Sequence, residues 1–172
     1  MPNNEGEHPF GDIGQLILLL LFLILWVGDS FFLRASTFMS DFVSVYIRLF
    51  LAASAIAVVA WLAVSGHAVV HPEGRKNGVV STGAFQYVRH PLYLASILFY
   101  LCLSVATASL LSLALSAGIA LFYNHIVGYE EKQLLHKYGV EYSEYRERTG
   151  KWLPIPGRCV GASRHPGSGA TK

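Results

Sequence analysis

The longest apolar stretch in this chain is the feature that most restricts its fold. Residues 92–127 are thirty-six consecutive positions without an Asp, Glu, Lys or Arg. A membrane-crossing helix needs about 20 apolar residues, so this stretch is too long for a single crossing. It fits two helices of about 17 residues each, the lower limit for crossing, with a turn near Thr107-Ala108-Ser109. The stretch therefore predicts a helical hairpin embedded in a lipid bilayer.

Two earlier apolar stretches each have the length of one transmembrane helix. Residues 13–27 are almost all apolar and continue past Asp29 to Leu33, and residues 42–64 carry one charge, Arg48. The segment before the first stretch has acidic residues but no Lys or Arg, and no small-x-small cleavage site follows. A signal peptide has the opposite features, so we expect a retained anchor.

The sequence becomes amphipathic after Gly128. Leu134 or Leu135, Tyr138, Tyr142 and Tyr145 recur at spacings of three and four among charged residues, with Gly139 as a possible break. This spacing predicts a helix that lies against the membrane or the bundle. The fold class is therefore an all-α integral membrane bundle of about four transmembrane helices plus a cytoplasmic amphipathic helix. The predicted divisions are a disordered N-terminus at 1–12, two transmembrane helices at 13–66, a loop, the hairpin and the cytoplasmic helix at 67–153, and a flexible tail at 154–172.

The placement of basic residues predicts the orientation in the membrane. Of thirteen Lys and Arg, three lie between the second and third stretches, at Arg75, Lys76 and Arg89, and eight lie between Lys132 and Lys172. Basic loops remain cytoplasmic, so we expect the central loop and both termini on the cytoplasmic side. The two basic regions can lie on the same side only if an even number of crossings separates them, and the predicted hairpin provides two. No basic, aromatic-rich surface indicates a nucleic-acid partner, and no spacing of ligands indicates a metal.

A compact polar corner precedes the third predicted helix. In Arg89-His90-Pro91-Leu92-Tyr93, proline favours the first helical position and disfavours helix in the residue before it, so His90 is a predicted cap. The first-turn N–H groups favour an anion, and the Tyr93 ring favours a cation. A ligand that carries both charges would suit this corner. The alternative is an ordinary interfacial helix cap with an aromatic-belt tyrosine.

A second polar cluster lies where the long apolar stretch ends. Glu130 and Glu131 are either carboxylates that accept hydrogen bonds from a ligand or the solvated first turn of the amphipathic helix. Asn124 and His125 precede them within the apolar stretch, where polar residues usually face the bundle interior. These two residues either line a substrate pocket or bond to neighbouring helices.

Together these motifs resemble the isoprenylcysteine carboxyl methyltransferase family and its relatives, the phospholipid N-methyltransferases. The resemblance covers about residues 67–154: GVVSTGAFQYVRHPLY, the apolar hairpin, then YEEKQLLHKYGVEYSEYRERTGKWLP. It implies methyl transfer from S-adenosylmethionine to a lipidic or small hydrophobic acceptor at the membrane, with no catalytic side chain assigned. The cofactor contacts that it implies are Phe85, His90, Pro91, Leu92, Tyr93 and Glu130 or Glu131.

The sequence departs from the carboxyl methyltransferases at one informative place. Those proteins usually carry an arginine about one turn before the glutamate pair, where this chain has Ile126 and Val127, and their closing arginine is Lys151 here. The first departure counts against a prenylcysteine carboxylate and leaves lipid amines and small thiols as alternative acceptors. A non-catalytic membrane scaffold or subunit is the alternative of another class, and the sequence does not define the oligomeric state.

Overall fold

A computed structural model describes residues 11–70 and 78–156. The predicted disorder of residues 1–10, the basic pair at 75–76 and most of the predicted tail lie outside the described residues. Within the described ranges the secondary structure is helical apart from short turns and one isolated bridge. The described residues contain five α-helices: α1 Gly11–Val27, α2 Val45–Val70, α3 Pro91–Thr107, α4 Leu110–Tyr138 and α5 Val140–Arg148.

The helices confirm the predicted membrane bundle. Three segments are long and apolar enough to cross a bilayer: Ile13–Leu33, Val45–Ala68 and Leu110–Tyr138. The fourth apolar helix, α3, has 17 residues, which is close to the shortest length that crosses the hydrocarbon layer. The chain therefore forms the all-α membrane fold that its apolar stretches predict.

The hairpin turn lies where the sequence predicts it. Helix α3 ends at Thr107, and Ala108 adopts a left-handed conformation with φ 53°. Ser109 then caps α4, because its side chain accepts a hydrogen bond from the Ser112 backbone N–H. This bond satisfies one of the N–H groups that a helix start leaves without a partner.

Aromatic and small residues hold the bundle together. Phe22 of α1, Tyr100 of α3, and Ile119 and Tyr123 of α4 form one buried cluster. On the same hairpin, the hydroxyls of Ser104 and Ser116 lie 3.1 Å apart. Hydroxyl pairs of this kind satisfy polar groups between helices in lipid, where water is absent.

The buried carboxylate of Asp29 links the helices at the end of the bundle opposite the start of α3. After α1 the chain continues as a π-helix over Gly28–Leu33, in which Asp29 is 2% exposed. Asp29 accepts hydrogen bonds from Ser36 and from the Ser109 hydroxyl, the latter at 2.5 Å. The network joins the end of α1 to the start of α4, which fixes the depth of α1 along the hairpin.

The amphipathic segment differs from the expectation in one respect. The apolar helix was expected to end near Glu130 and Glu131, and these residues were expected to form the first turn of the amphipathic helix. Instead, α4 continues through them to Tyr138. No residue between 128 and 138 stops a helix, and the break comes at Gly139, whose φ is 52°. At 1.5 Å per residue, 29 residues span about 44 Å, more than the roughly 30 Å hydrocarbon layer. The acidic pair therefore lies on a rigid helix that projects from the membrane.

Candidate functional site

The loop before α3 is packed against the bundle at one end. A short 3-10 turn, Gly83–Gln86, places Ala84 and Val88 in a buried cluster with Leu62 of α2 and Ala95 of α3. The Phe85 carbonyl accepts a hydrogen bond from the Tyr145 hydroxyl at 2.7 Å. The sequence-predicted loop is thus held by α2, α3 and α5 together.

Arg89 ties this loop to the segment that follows α5. Its backbone N–H donates to the Gly150 carbonyl at 2.9 Å. Its guanidinium donates to the carbonyls of Arg146 at 3.0 Å and Thr149 at 2.5 Å. We call the segment from Thr149 to Trp152 the strap. Two of these three hydrogen bonds, those to Thr149 and Gly150, therefore hold the strap beside the start of α3.

Glu131 is the buried member of the acidic pair. Its Oε1 accepts a hydrogen bond from Arg89 Nε at 2.9 Å and lies 3.2 Å from His90 Nε2. Glu131 is 9% exposed and His90 is 7% exposed. A carboxylate with two internal partners and little exposure serves chiefly to hold the loop on α4. The carboxylate also explains why the His90 side chain makes no cap bond, although His90 occupies the predicted cap position before Pro91.

Glu130 is the accessible member of the pair. It is partly exposed, and its Oε1 accepts a hydrogen bond from the Tyr93 hydroxyl at 2.5 Å. The Tyr93 ring packs edge-on against Tyr123, with centroids 5.3 Å apart. Both predicted clusters, 37 residues apart in sequence, thus meet at one place, and both glutamates contribute to it in different ways.

Close contact with α2 sets the position of the first turn of α3. Pro91 is buried and Leu92 is partly buried. A Cβ atom on Gly66 of α2 would lie 2.8 Å from Leu92 Cδ2 and 3.7 Å from Pro91 Cγ. Glycine at position 66 therefore lets α2 approach the first turn that the sequence predicts as a ligand site.

Asn124 and His125 do not face the bundle interior, so that expectation is wrong. Both side chains are exposed, whereas Tyr123 and Val127 occupy the buried face of α4. Asn124 instead bonds the strap: its Oδ1 accepts from Lys151 Nζ at 2.7 Å and from Trp152 Nε1 at 3.2 Å. A role in binding substrate remains a prediction for both residues.

Sequence reasoning did not assign Trp152 or Thr149 to the site, and it placed Tyr142 only on the apolar stripe of the amphipathic helix. Trp152 lies with its ring centroid 6.2 Å from that of His90, and it is the one tryptophan outside the apolar stretches, which was the available signal. Tyr142 and Thr149 are buried, and their hydroxyls have no hydrogen-bond partner among the described residues. Burial and the nearby Glu131 charge raise the pKa of Tyr142 to about 12. These neutral hydroxyls add hydrogen-bonding capacity beside the Arg89–Glu131 pair.

Comparison with known families agrees with this geometry. The family model described as phospholipid methyltransferase matches residues 45–141, which includes α2, the hairpin and the acidic pair. The chain belongs to the phospholipid methyltransferase family. The resemblance drawn from the loop and the acidic pair is therefore confirmed at the level of the family.

Two bacterial proteins share part of the sequence. One is the cobalt-zinc-cadmium resistance protein CzcN of Cupriavidus metallidurans, 35% identical over 83 residues, which are 47% of this chain and 38% of that protein. The other is methanethiol S-methyltransferase 1 of Bradyrhizobium diazoefficiens, 33% identical over 70 residues, 41% of this chain and 24% of that protein. The chain thus matches well under half the length of either relative. No solved structure matches the chain.

Proposed function

We propose that this protein is an integral membrane methyltransferase that uses S-adenosylmethionine. The observation that carries the proposal is the junction of the loop and α4, where Tyr93 bonds Glu130 and where Arg89 and His90 bond Glu131. Membership of the phospholipid methyltransferase family and the methyltransferase relative support the same reaction class. When bound, the cofactor supplies a methyl group activated by an adjacent sulfonium.

The donor set at the junction fits the groups of that cofactor. The first turn of α3 offers backbone N–H groups, which suit the amino-acid carboxylate. Glu130 offers an accessible carboxylate, which suits a ribose hydroxyl or the ammonium. The Tyr93 ring beside them suits a cation. Leu92, which is partly exposed at the same end of α3, adds an apolar side chain, and Phe85 and Pro91 are the other apolar residues that the sequence predicts there.

The chain's own residues contribute mainly by positioning. Glu131 and Arg89 fix the loop on α4, so that the α3 start and Glu130 keep one relative arrangement. Methyl transfer requires the acceptor and the methyl group to lie in line, and holding the reactants in that geometry accounts for much of such catalysis. The pocket would lie at the membrane surface, so an apolar acceptor can approach sideways from the bilayer.

For the methyl acceptor, we propose a chemical class rather than a single compound. One relative is named methanethiol S-methyltransferase 1. In addition, this chain has Ile126 and Val127 where carboxyl methyltransferases carry an arginine before the glutamate pair. Both observations favour a small thiol or a lipid amine over a prenylcysteine carboxylate. Labelled methyl transfer to lipid extract, small thiols and prenylcysteine analogues, measured in parallel with purified protein, would identify the acceptor.

The charge distribution supports a cytoplasmic site with both termini on that side. At the site end the described residues include six basic side chains, and at the opposite end they include two, Arg34 and Arg48. The basic-inside tendency of membrane proteins favours the cytoplasm for the more basic end. Protection of residues 139–156 from protease added outside intact cells tests this orientation, and cleavage there would contradict it.

Replacing Glu130 by glutamine is expected to weaken S-adenosylmethionine binding about ten- to hundredfold. The change removes one charge-assisted hydrogen bond, worth about 1.5–3 kcal/mol. Glu130 is partly exposed, so the fold should be retained. Calorimetric titration of the detergent-solubilised protein measures the affinity.

The matched control is Glu144→Gln, the same chemical change at an exposed site on α5 that pairs with Arg148. Its cofactor affinity should equal that of the unmodified chain. Equal affinities for all three proteins would exclude Glu130 from the site. Absence of saturable binding by the folded, unmodified chain would refute the enzyme and favour a scaffold.

A further inference from the structure

One face of α4 is exposed at the end of the helix that carries the candidate site. Its residues recur at spacings of four, four, three and four, which keeps their side chains on one side of a helix. We call this face the α4 strip; its members are Leu121, His125, Tyr129, Lys132 and His136. The buried residues of the same stretch, Tyr123, Val127 and Glu131, lie on another side. The strip therefore faces the surroundings of the protein and not the bundle.

Two features place the polar end of the strip at the level of the lipid headgroups. Tyr93, in the first turn of α3, bonds Glu130, so this part of α4 lies beside the place where the charge-free stretch begins. From Leu110 to Lys132, α4 rises about 33 Å at 1.5 Å per residue, just beyond the roughly 30 Å hydrocarbon layer. Tyr129 and Lys132 therefore lie where the hydrocarbon meets the phosphate groups.

The strip offers a positive charge at this level without an acidic neighbour along the helix. None of the residues three or four positions from Lys132 in α4 is acidic, and these are the positions that a helical side chain meets. The two carboxylates of this turn point elsewhere, since Glu131 is buried and Glu130 bonds Tyr93. The Lys132 ammonium is thus exposed and directed toward the lipid boundary.

We propose that the α4 strip binds an anionic phospholipid, with Lys132 on the phosphate and Tyr129 beside the headgroup. Tyrosine suits this level because its ring is apolar and its hydroxyl is polar. Tyr129 is 52% exposed, and Leu121, deeper along the strip, is 73% exposed and would pack on the acyl chain. An anionic lipid is favoured over a zwitterionic one, whose own cation offsets the phosphate charge. Such a lipid lies along a helix surface, so the site needs no cavity.

Titration with a defined lipid tests this proposal. Native mass spectrometry of the detergent-solubilised protein measures the dissociation constant of the first bound phosphatidylglycerol, with phosphatidylcholine as the zwitterionic comparison. The unmodified chain should bind phosphatidylglycerol more tightly than phosphatidylcholine. Lys132→Gln should weaken phosphatidylglycerol binding about fivefold, the usual effect of one basic side chain near anionic lipid. Lys132 is exposed, so the fold should be retained.

Two further variants make the result specific. Lys132→Arg keeps the charge and should retain the affinity for phosphatidylglycerol. Lys137→Gln removes the same charge from another face of α4, where Lys137 is exposed and lies 5.5 Å from the centroid of the Tyr138 ring. Its affinity for phosphatidylglycerol should equal that of the unmodified chain.

The outcomes do not depend on the proposed methyl transfer, because the strip and Glu130 lie on different faces of α4. S-adenosylmethionine affinity should be the same in Lys132→Gln as in the unmodified chain. Equal phosphatidylglycerol affinities in Lys132→Gln and Lys137→Gln, or equal binding of the two lipids by the unmodified chain, would overturn the proposal. It would also be wrong if Lys132→Gln weakened pairing between two copies of the chain and left lipid affinity unchanged, since the strip would then be an interface between copies.

Discussion

Replacing Glu131 by glutamine is expected to destabilise the protein by about 3–5 kcal/mol, the usual cost of breaking a buried ion pair from one side. The change leaves the Arg89 guanidinium, which is 9% exposed, without its counter-charge. It also replaces the charged acceptor that lies 3.2 Å from His90 Nε2 by a neutral and weaker one. For a chain of this length the loss corresponds to a decrease in melting temperature of about 6–20 °C, and methyl transfer should be lost with it.

Thermal unfolding in detergent, followed by circular dichroism, measures this effect. Glu144→Gln is again the control, because Glu144 is 61% exposed and its pair with Arg148 spans one helical turn. Such surface pairs contribute about 0.3–0.5 kcal/mol. If the two variants melted at the same temperature, Glu131 would not be the residue that holds the loop on α4.

Replacing Gly150 by alanine is expected to detach the strap. The added Cβ would lie 1.8 Å from the Leu153 carbonyl oxygen and 3.0 Å from its carbon. Both atoms belong to the backbone, so the turn itself must open. The hydrogen bond from the Arg89 N–H to the Gly150 carbonyl would break. Trp152 would then leave its position beside His90. We expect loss of cofactor binding while the membrane helices remain folded.

Hydrogen exchange of residues 149–156 and cofactor titration measure this result. Gly128→Ala supplies the control, since nothing lies within 4 Å of its added Cβ and Gly128 is inside α4. Alanine favours a helix over glycine by about 0.5–1 kcal/mol. That variant should retain the cofactor and melt at the same or a higher temperature. Unchanged exchange at residues 149–156 in Gly150→Ala would show that the turn tolerates a side chain.

The helices could be predicted from sequence because their causes are local. The length of the charge-free stretch required two crossings, and the turn at Ala108 and the start of α3 at Pro91 followed from residues adjacent to each other. The end of α4 was predicted less well. The change from apolar to charged residues at Glu130 marks the edge of the hydrocarbon layer, but a helix does not end where its surroundings change. It ended at Gly139, the break that the sequence predicts, where the backbone adopts a positive φ.

The functional site could be predicted in part. His90, Tyr93 and both glutamates were selected from sequence, and the structure brings them together. The sequence left open whether Glu130 or Glu131 contacts the cofactor; in the structure Glu131 bonds Arg89 and His90 while Glu130 bonds Tyr93. Neighbours on a helix point about 100° apart, so Glu131 meets the loop before α3 while Glu130 meets Tyr93 in the first turn of α3.

The sequence by itself determined the all-α membrane class and the hairpin and selected the candidate site residues, since these depend on hydrophobic length and on local backbone preferences. Only the tertiary structure decided which carboxylate is buried, which is accessible, and that a strap ending in Trp152 covers the start of α3. The deciding bonds join Arg89 to Glu131 and to Thr149, over 42 and 60 residues. Contacts across such separations arise from the packing of all the helices together, so no local pattern encodes them.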